Sequence, residues 1–197
     1  MVRLQDIAEV QSGYLSRGKI EPAADGPFYL LQAKDVDADR LTYRTDEIVR
    51  IHPELSRKDW MLKRDDIVFM ARGARNFSLL MQDIPDPSLA AACFFIIRTS
   101  QQICLPQYLW WYLNQKPVED YLLRESGRGV HMPVVRRAAL ENMEIPVPPL
   151  EMQHKIVALD SLMRKEQKLL DDMAEKRKEL ATIACMNAAL KGDKSRG

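Results

Sequence analysis

The residue types that could perform catalysis are scattered along this sequence of 197 residues. The three histidines, His52, His131 and His154, are far apart, and none lies in an H-E-x-x-H or Cys/His metal-binding pattern. The sequence also has no G-x-x-x-x-G-K-[ST] phosphate-binding loop and no G-x-S-x-G nucleophile elbow. We therefore predict that the chain is not an enzyme and has neither a cofactor nor a metal ion of its own.

One acidic stretch, residues 35–46, has aspartates where a calcium-binding loop has its first three ligands. Arg40 stands where that loop requires glycine, and Asp46 stands where it requires a bidentate glutamate. These two differences remove the tight bend and the chelating end of the loop, so the pattern favours a solvated acidic turn.

Three loops combine glycine with cationic and hydrogen-bonding side chains. Arginine and lysine bind phosphates, polar side chains can read base edges, and glycine lets a backbone approach a ligand closely. Any one of these loops is typical of an ordinary protein surface, but three of them on one small domain favour DNA binding. The candidate DNA-binding residues are Tyr14, Arg17 and Lys19 in the first loop, Arg72, Arg75 and Asn76 in the second, and Arg128, His131, Arg136 and Arg137 in the third.

Bulk composition limits this hypothesis without excluding it. The formal net charge is only +1, so the basic residues of a DNA-binding surface must be gathered locally. The cysteines, Cys93, Cys104 and Cys185, are odd in number and show no C-x-x-C spacing, which favours a reducing cytoplasm over a disulfide framework. No apolar run is long enough to span a bilayer, and no signal peptide opens the chain. We expect a cytoplasmic protein without a membrane partner.

The first 149 residues mix strand and helix patterns. Short apolar runs bounded by turn-forming residues predict strands at 28–36, 66–72 and 90–99. Helical spacing of leucine and aromatic residues predicts a buried helix over 106–126, broken near Pro117. A short helix after Arg137 should lead into a last strand. The predicted fold class is an α/β (α+β) domain, residues 1–149.

A proline-rich segment, "IPVPPLE", separates this domain from a long helix at residues 150–190, which a polar tail at 191–197 follows. The prolines fix an extended backbone, so no helix can pass through them. Apolar residues recur at a spacing of three and four along most of the helix, which favours a coiled coil with another helix. The alternative is a helix folded back on its own domain. The predicted pairing residues are Leu159, Leu162, Leu169, Leu170, Met173, Leu180 and Ile183.

Several segments together resemble the DNA-specificity subunit of type I restriction–modification systems. They are "RLQDIAEVQSGY", "YLLQAKDVD", "LKRDDIVFMARGAR", "PQYLWWYLNQ" and, most specifically, "SGRGVHMPVVRRAALENMEIPVPPLEMQHKIVALDSL". The resemblance covers nearly the whole chain. It differs at Asp65, where the family usually has glycine, and in having one recognition domain and one helix where family members commonly have two of each.

The resemblance implies a target recognition domain that reads double-stranded DNA, followed by a helix that forms a coiled coil. It also implies a partner methyltransferase subunit that carries S-adenosylmethionine and modifies adenine, and possibly a restriction subunit. The missing "NPPY" methyltransferase motif agrees with a chain that leaves the chemistry to a partner.

A half-length chain could recreate a two-domain architecture by forming a homodimer with antiparallel helices, which would recognise two inverted half-sites. The alternative is a protein-interaction adaptor of the same fold without DNA binding, and the near-neutral charge keeps that alternative open. A nuclease or methyltransferase acting by itself is disfavoured by the missing motifs.

Overall fold

The computed structural model describes residues 1–16, 18–54, 60–125 and 134–193, with the backbone alone described for residues 190–193. The strands are β1 (Val2–Arg3), β2 (Ala8–Ser12), β3 (Phe28–Leu31), β4 (Val36–Asp37), β5 (Thr42–Tyr43), β6 (Val49–Ile51), β7 (Ile67–Met70), β8 (Ser78–Leu80), β9 (Ser88–Ala90), β10 (Phe94–Thr99) and β11 (Glu144–Ile145). The helices are α1 (Leu4–Ile7), α2 (Pro106–Leu113), α3 (Lys116–Glu125), α4 (Arg137–Glu141) and α5 (Leu150–Asp193), and Ala33–Asp35 form a 3-10 turn.

Four strands form an antiparallel sheet in the order β2, β10, β7, β8. In its register Phe94 of β10 pairs with Met70 of β7, and Ile97 pairs with Val10 of β2. All four residues of β7 are buried, as a short continuous apolar run predicts for a strand in the interior of a sheet. This sheet carries two of the three candidate loops.

A second sheet has the order β6, β3, β9, with β3 antiparallel to β6 and parallel to β9. Side chains of both sheets meet in one hydrophobic cluster that includes Leu31, Val68, Phe94 and Ile96, all fully buried. Each such side chain contributes roughly 1.5–3 kcal/mol relative to an exposed one. The predicted mixture of sheet and helix, followed by a long helix, is confirmed.

Two predicted strands are shorter than the sequence pattern indicated. β3 ends at Leu31 because the carboxylate of Asp35 accepts a hydrogen bond from the Gln32 amide at 2.8 Å and closes the 3-10 turn. The predicted strand at 90–99 divides into β9 and β10, because the Phe94 amide bonds back to the Ala91 carbonyl at 3.0 Å and forms a turn.

An ion pair between Arg98 and Asp66 links β10 to the residue before β7. The guanidinium contacts both carboxylate oxygens, at 2.9 and 3.0 Å, and the two side chains are only 19% and 4% exposed. Asp66 also accepts a hydrogen bond from the Lys63 amide at 2.9 Å. Because both carboxylate oxygens are bonded in a nearly dry site, removal of either partner leaves a buried, uncompensated charge.

The neighbouring residue, Asp65, has a φ of 69°, in the left-handed region that favours glycine. Its carboxylate accepts hydrogen bonds from the side-chain amides of Gln82 at 2.8 Å and Gln107 at 3.3 Å. Aspartate is among the residues that tolerate this conformation. The turn therefore keeps a glycine-like backbone although the residue is not glycine.

Helices α2 and α3 confirm the predicted helical region, but the break falls at residues 114–115 and Pro117 lies in the first turn of α3. Proline at that place costs no helical hydrogen bond. Asn114, which follows α2, accepts a hydrogen bond from the Ser78 amide at 2.9 Å and donates one to the Ser78 hydroxyl at 2.8 Å. These bonds satisfy polar groups of β8 at the edge of the sheet.

The proline-rich segment is held by two side chains. The Tyr108 hydroxyl donates a hydrogen bond to the Pro146 carbonyl at 2.6 Å. Gln153, in the first turn of α5, is fully buried: its amide donates to the carbonyls of Ile103 and Pro148 at 2.9 and 2.8 Å, and its oxygen accepts from the Leu105 amide at 2.9 Å. The start of α5 is thereby bonded to the loop before α2.

The chain divides into two compact units, Met1–His154 and Lys155–Gly197. The first contains all the sheets, helices α1 to α4 and the first turn of α5; the second is helical over its described residues. Among the described helices, none is both long and apolar enough to cross a membrane.

Candidate nucleic-acid interface

Two of the candidate loops leave the same edge of the four-stranded sheet. β2 and β7 are each antiparallel to β10, so they run in the same direction and end at the same edge. Ser12 at the end of β2 pairs with Phe95, and Met70 at the end of β7 pairs with Phe94. The loops that follow these two strands therefore begin within two residues of the start of β10.

Main-chain hydrogen bonds fix both loops to the turn between β9 and β10. The Gly13 and Tyr14 amides donate to the carbonyls of Phe94 at 3.0 Å and Ala90 at 2.7 Å. From the other side, the Ala71 and Arg72 amides donate to one carbonyl, that of Cys93, at 2.9 and 3.2 Å. A Cβ at Gly13 would lie 2.3 Å from the Ala91 oxygen, so glycine is required there by the close approach of two backbones.

The third candidate loop joins the same edge through its last residues. The Val135 amide donates to the Ala71 carbonyl at 2.9 Å, and Val134 forms an isolated bridge with Arg72. Arg136 follows directly, and α4 begins at Arg137. The structure therefore brings together parts of all three loops; we use the term loop edge for residues 12–16, 71–76 and 134–137.

The four described arginines of the loop edge differ in how they are bonded. Arg72 and Arg136 are exposed, and neither forms an ion pair or side-chain hydrogen bond with the residues that the structure describes. Arg75 lies 3.3 Å from the carboxylate of Asp39, and Arg137 lies 2.7 Å from that of Glu141. Arg72 and Arg136 therefore present the cations of this edge that are not neutralised within the described part of the chain.

Arg137 also lines an open groove at the loop edge. The other lining residues are Glu9, Gln11, Ser12, Gly13, Leu15 and Trp60. Leu15 is 70% exposed, and the groove has a volume of about 410 Å³. A cation, an amide and an exposed apolar side chain are the types of group that contact phosphates, base edges and the thymine methyl group. The sequence prediction missed Leu15 and Trp60 because neither is charged or polar.

Burial removes Tyr14 from the candidate surface. The ring is only 4% exposed, packs edge-on against Trp60 with ring centroids 6.0 Å apart, and belongs to a hydrophobic cluster with Leu30 and Leu89. Its hydroxyl accepts a hydrogen bond from the Glu54 amide at 3.3 Å. The glycine before it draws the backbone against the β9–β10 turn, and the ring follows into the core.

Asn76 has a structural bond instead of a free polar side chain. Its amide donates to the Met70 carbonyl at 2.8 Å, across the connection between β7 and β8. Lys19 is exposed but lies in a second groove with Ile20, His52 and Glu54. Arg17, Arg128 and His131 lie outside the described residues, as does the rest of the tail after residue 193.

The thiol of Cys93 lies beneath the loop edge. Burial raises its pKa, and the nearby Arg72 guanidinium opposes that rise. The described residues contain no group of three histidine, cysteine or acidic side chains that could hold a metal ion.

The predicted pairing face of α5 is exposed within the single chain. The exposed fractions are 61% for Leu159, 65% for Leu162, 56% for Leu169, 53% for Leu170, 52% for Met173, 66% for Leu180 and 50% for Ile183. An unpartnered apolar stripe of this length is typical of an interaction surface.

With the fold and the loop edge described, comparison with known proteins defines the class of protein. Residues 1–172 match the family described as "Type I restriction modification DNA specificity domain", and the chain belongs to this family. Proteins of this family specify DNA and are not themselves catalysts, which agrees with the prediction that the chain is not an enzyme. A search of curated protein sequences finds no match.

Solved structures of the same class share the fold. The HsdS subunit from Thermoanaerobacter tengcongensis has a TM-score of 0.60 and 19% identity, over 84% of this chain and 37% of that one. A structure on complex assembly and conformational transition of the type I R-M system has a TM-score of 0.68 and 20% identity, over 90% of this chain and 45% of that one. The S subunit from M. genitalium has a TM-score of 0.55 and 12% identity, over 90% and 42%. The chain thus spans less than half the length of each of these proteins.

Proposed function

We propose that this chain is a sequence-specific, double-stranded DNA recognition subunit that directs a partner adenine methyltransferase to a bipartite site. The partner would carry S-adenosylmethionine, and a restriction subunit could join the same complex. Chromosomal DNA and such a partner meet in the cytoplasm, where we place this activity.

The observation that carries the proposal is the convergence of the three loops on one edge of the sheet. Arg72 and Arg136 are exposed there without an ion-pair partner among the described residues, although the chain as a whole is nearly neutral. Local gathering of cations is what a near-neutral DNA-binding protein requires. Family membership over residues 1–172 supports the same function.

The main chain and the side chains of the loop edge divide the work of recognition. Backbone bonds to Cys93 and Val135 position residues 71 and 72, so the Arg72 side chain can be used entirely for DNA. Arginine reads guanine through two hydrogen bonds in the major groove and binds phosphate in a similar bidentate manner. The exposed Leu15 beside Arg137 would supply an apolar contact in the same groove.

The proposal includes a homodimer formed through α5. The exposed apolar face that includes Leu159, Leu170 and Leu180 supports it, because a two-fold dimer covers one such face with its own equivalent. Antiparallel pairing would carry the two recognition domains at opposite ends of the helix pair, so the DNA site would consist of two inverted half-sites. Light scattering at tens of micromolar tests this point, and a monomer would refute it.

DNA recognition is tested with the chain assembled with its methyltransferase. Arg72→Ala and Arg136→Ala should each weaken DNA binding by roughly 1–3 kcal/mol if they contact bases, or lower the slope of log K against log[salt] by about 1 if they contact phosphate. Arg64→Ala is the matched control, because Arg64 is an exposed arginine before the opposite end of β7. Equal effects of all three substitutions would refute the assignment of the loop edge.

Two further outcomes separate the proposed function from its alternative. A complex that forms with the methyltransferase but shows no salt-dependent DNA binding would identify the chain as an adaptor. Methylation by the purified chain alone would contradict its assignment as a recognition subunit. The expected result is S-adenosylmethionine-dependent adenine methylation that requires both subunits.

A further inference from the structure

Two charged residues interrupt the apolar face of α5. Starting from Ile156 and following a spacing of three and four residues, the positions are apolar except at Glu166, Arg177 and, near the end, Asn187. Glu166 and Arg177 are exposed, and neither has a hydrogen bond or ion pair within the described residues. Other charges on the same helix are paired along it, such as Arg164 with Asp160 at 2.7 Å.

The surroundings of these two residues are wholly apolar. On a helix, a residue lies beside those three and four positions away. For Glu166 these neighbours are Leu162, Met163, Leu169 and Leu170. For Arg177 they are Met173, Ala174, Leu180 and Ala181. A helix that covers this face must therefore bury a lone carboxylate at one point and a lone guanidinium at another, which is costly unless each meets an opposite charge.

We infer that two copies of α5 pair antiparallel about a two-fold axis between Asp171 and Asp172, so that Glu166 of each copy meets Arg177 of the other. The inference rests on the proposed homodimer and specifies its register. Two symmetric ion pairs would then lie on either side of the centre of the helix pair. Each answers the charge that the other would otherwise leave buried.

The same axis matches the apolar positions without further adjustment. Leu170 lies opposite Met173, Met163 opposite Leu180, and Leu159 opposite Ala184, the a-to-d pairing expected of antiparallel coiled coils. The outermost of these layers has Ile156 opposite Asn187, so the apolar seam ends there. The axis is also the midpoint of α5, Leu150–Asp193, so both helices overlap over their full length.

Other arrangements bring the charges into conflict. A parallel pair in register would place Glu166 against Glu166 and Arg177 against Arg177. An antiparallel pair displaced by one heptad would place Glu166 opposite Leu170 or Ala184, which leaves its charge unanswered. Charge complementarity thus selects one orientation and one register, as polar residues at seam positions do in other coiled coils.

Charge reversal tests the pairing. Glu166→Arg and Arg177→Glu should each raise the dimer dissociation constant by roughly a hundredfold or more, because each creates two like-charged contacts in a seam. The double variant, with both changes, should return to within about tenfold of the original value, since each contact would again join opposite charges, with their positions exchanged. Glu175→Arg is the control, because Glu175 lies outside the apolar face. Circular dichroism verifies that helix content is kept.

A distance measurement tests the register independently. Cys185 is exposed, whereas Cys104 is buried and burial raises its thiol pKa to about 11. Spin labels attached at Cys185, in a Cys93→Ser background, would lie about 13.5 residues from the axis, so the two labels should be about 40 Å apart at 1.5 Å per residue. A displacement by one heptad would change this distance by about 10 Å, and a parallel pair would bring the labels within roughly 20 Å.

The outcomes separate this inference from the proposed function. A dimer that is unaffected by the single reversals, or that gives a label distance near 30, 50 or below 20 Å, overturns the register and leaves the proposed dimer standing. A wild-type monomer refutes the dimer and the register together, while DNA binding through Arg72 is measured separately. Restoration by the double variant together with a distance near 40 Å supports the register.

Discussion

Replacement of Gln153 by methionine should destabilise the recognition domain by about 3–5 kcal/mol. Methionine has a similar length and helix propensity, so the substitution removes the polar groups with little change in volume or backbone preference. Gln153 is fully buried, and its side chain satisfies the Leu105 amide and the carbonyls of Ile103 and Pro148.

The magnitude follows from the groups that lose their partners. Each buried backbone donor or acceptor left unpaired costs about 1–3 kcal/mol, and three such groups are affected. Entry of a water molecule could satisfy some of them, which places the expected total near the lower half of the summed range. A loss of 3–5 kcal/mol is a large part of the 5–15 kcal/mol that typically separates folded from unfolded domains.

Urea denaturation followed by tryptophan fluorescence measures the effect, because all three tryptophans lie in the recognition domain. Gln167→Met is the matched control: Gln167 is on the same helix, is exposed and donates one hydrogen bond to Asp171, so its loss should cost only about 0.2–0.5 kcal/mol. If Gln153→Met costs less than about 1 kcal/mol, the three hydrogen bonds are not the reason why this segment is fixed.

Two further predictions concern the sheet. Gly13→Ala should destabilise the domain by more than about 2 kcal/mol because its Cβ would meet backbone oxygen, whereas Gly73→Ala should change stability by less than about 1 kcal/mol because its Cβ would meet only the flexible Met70 side chain at 3.3 Å; similar melting temperatures for the two variants would contradict this reasoning. Asp66→Ala should cost about 3–5 kcal/mol by leaving the Arg98 guanidinium buried without its carboxylate; a loss below about 1 kcal/mol in urea denaturation would mean that the site is wetter than its burial indicates.

The sequence was sufficient to predict elements that local patterns determine. The apolar runs that became β7 and β10, and the prolines before α5, act through burial and backbone geometry within a few residues. Strand pairing is different. That Met70 faces Phe94, and that β2 and β7 end at one edge, depends on contacts far apart in the chain. The convergence of the three loops could therefore not be predicted from their composition.

Side chains near the site were misjudged where tertiary contacts overrode their chemical type. Tyr14 was predicted to face DNA because it lies in a basic, glycine-containing loop, but its neighbour Gly13 brings it into the core. Gln153 has the appearance of an ordinary polar residue on a helix surface, and only the fold makes it a buried hydrogen-bonding centre. Asp65 shows the opposite case, since a backbone conformation suited to glycine is kept by an aspartate.

The way Arg72 is held has a consequence for retargeting. Its position depends on its amide and on the neighbouring backbone groups of Cys93 and Val134, all of which any residue other than proline could provide. The exposed side chain contributes no bond to the described fold. Position 72 can therefore be varied through a library of side chains while the scaffold is conserved, and selection on altered DNA sites would sample new specificities without a parallel search for stability.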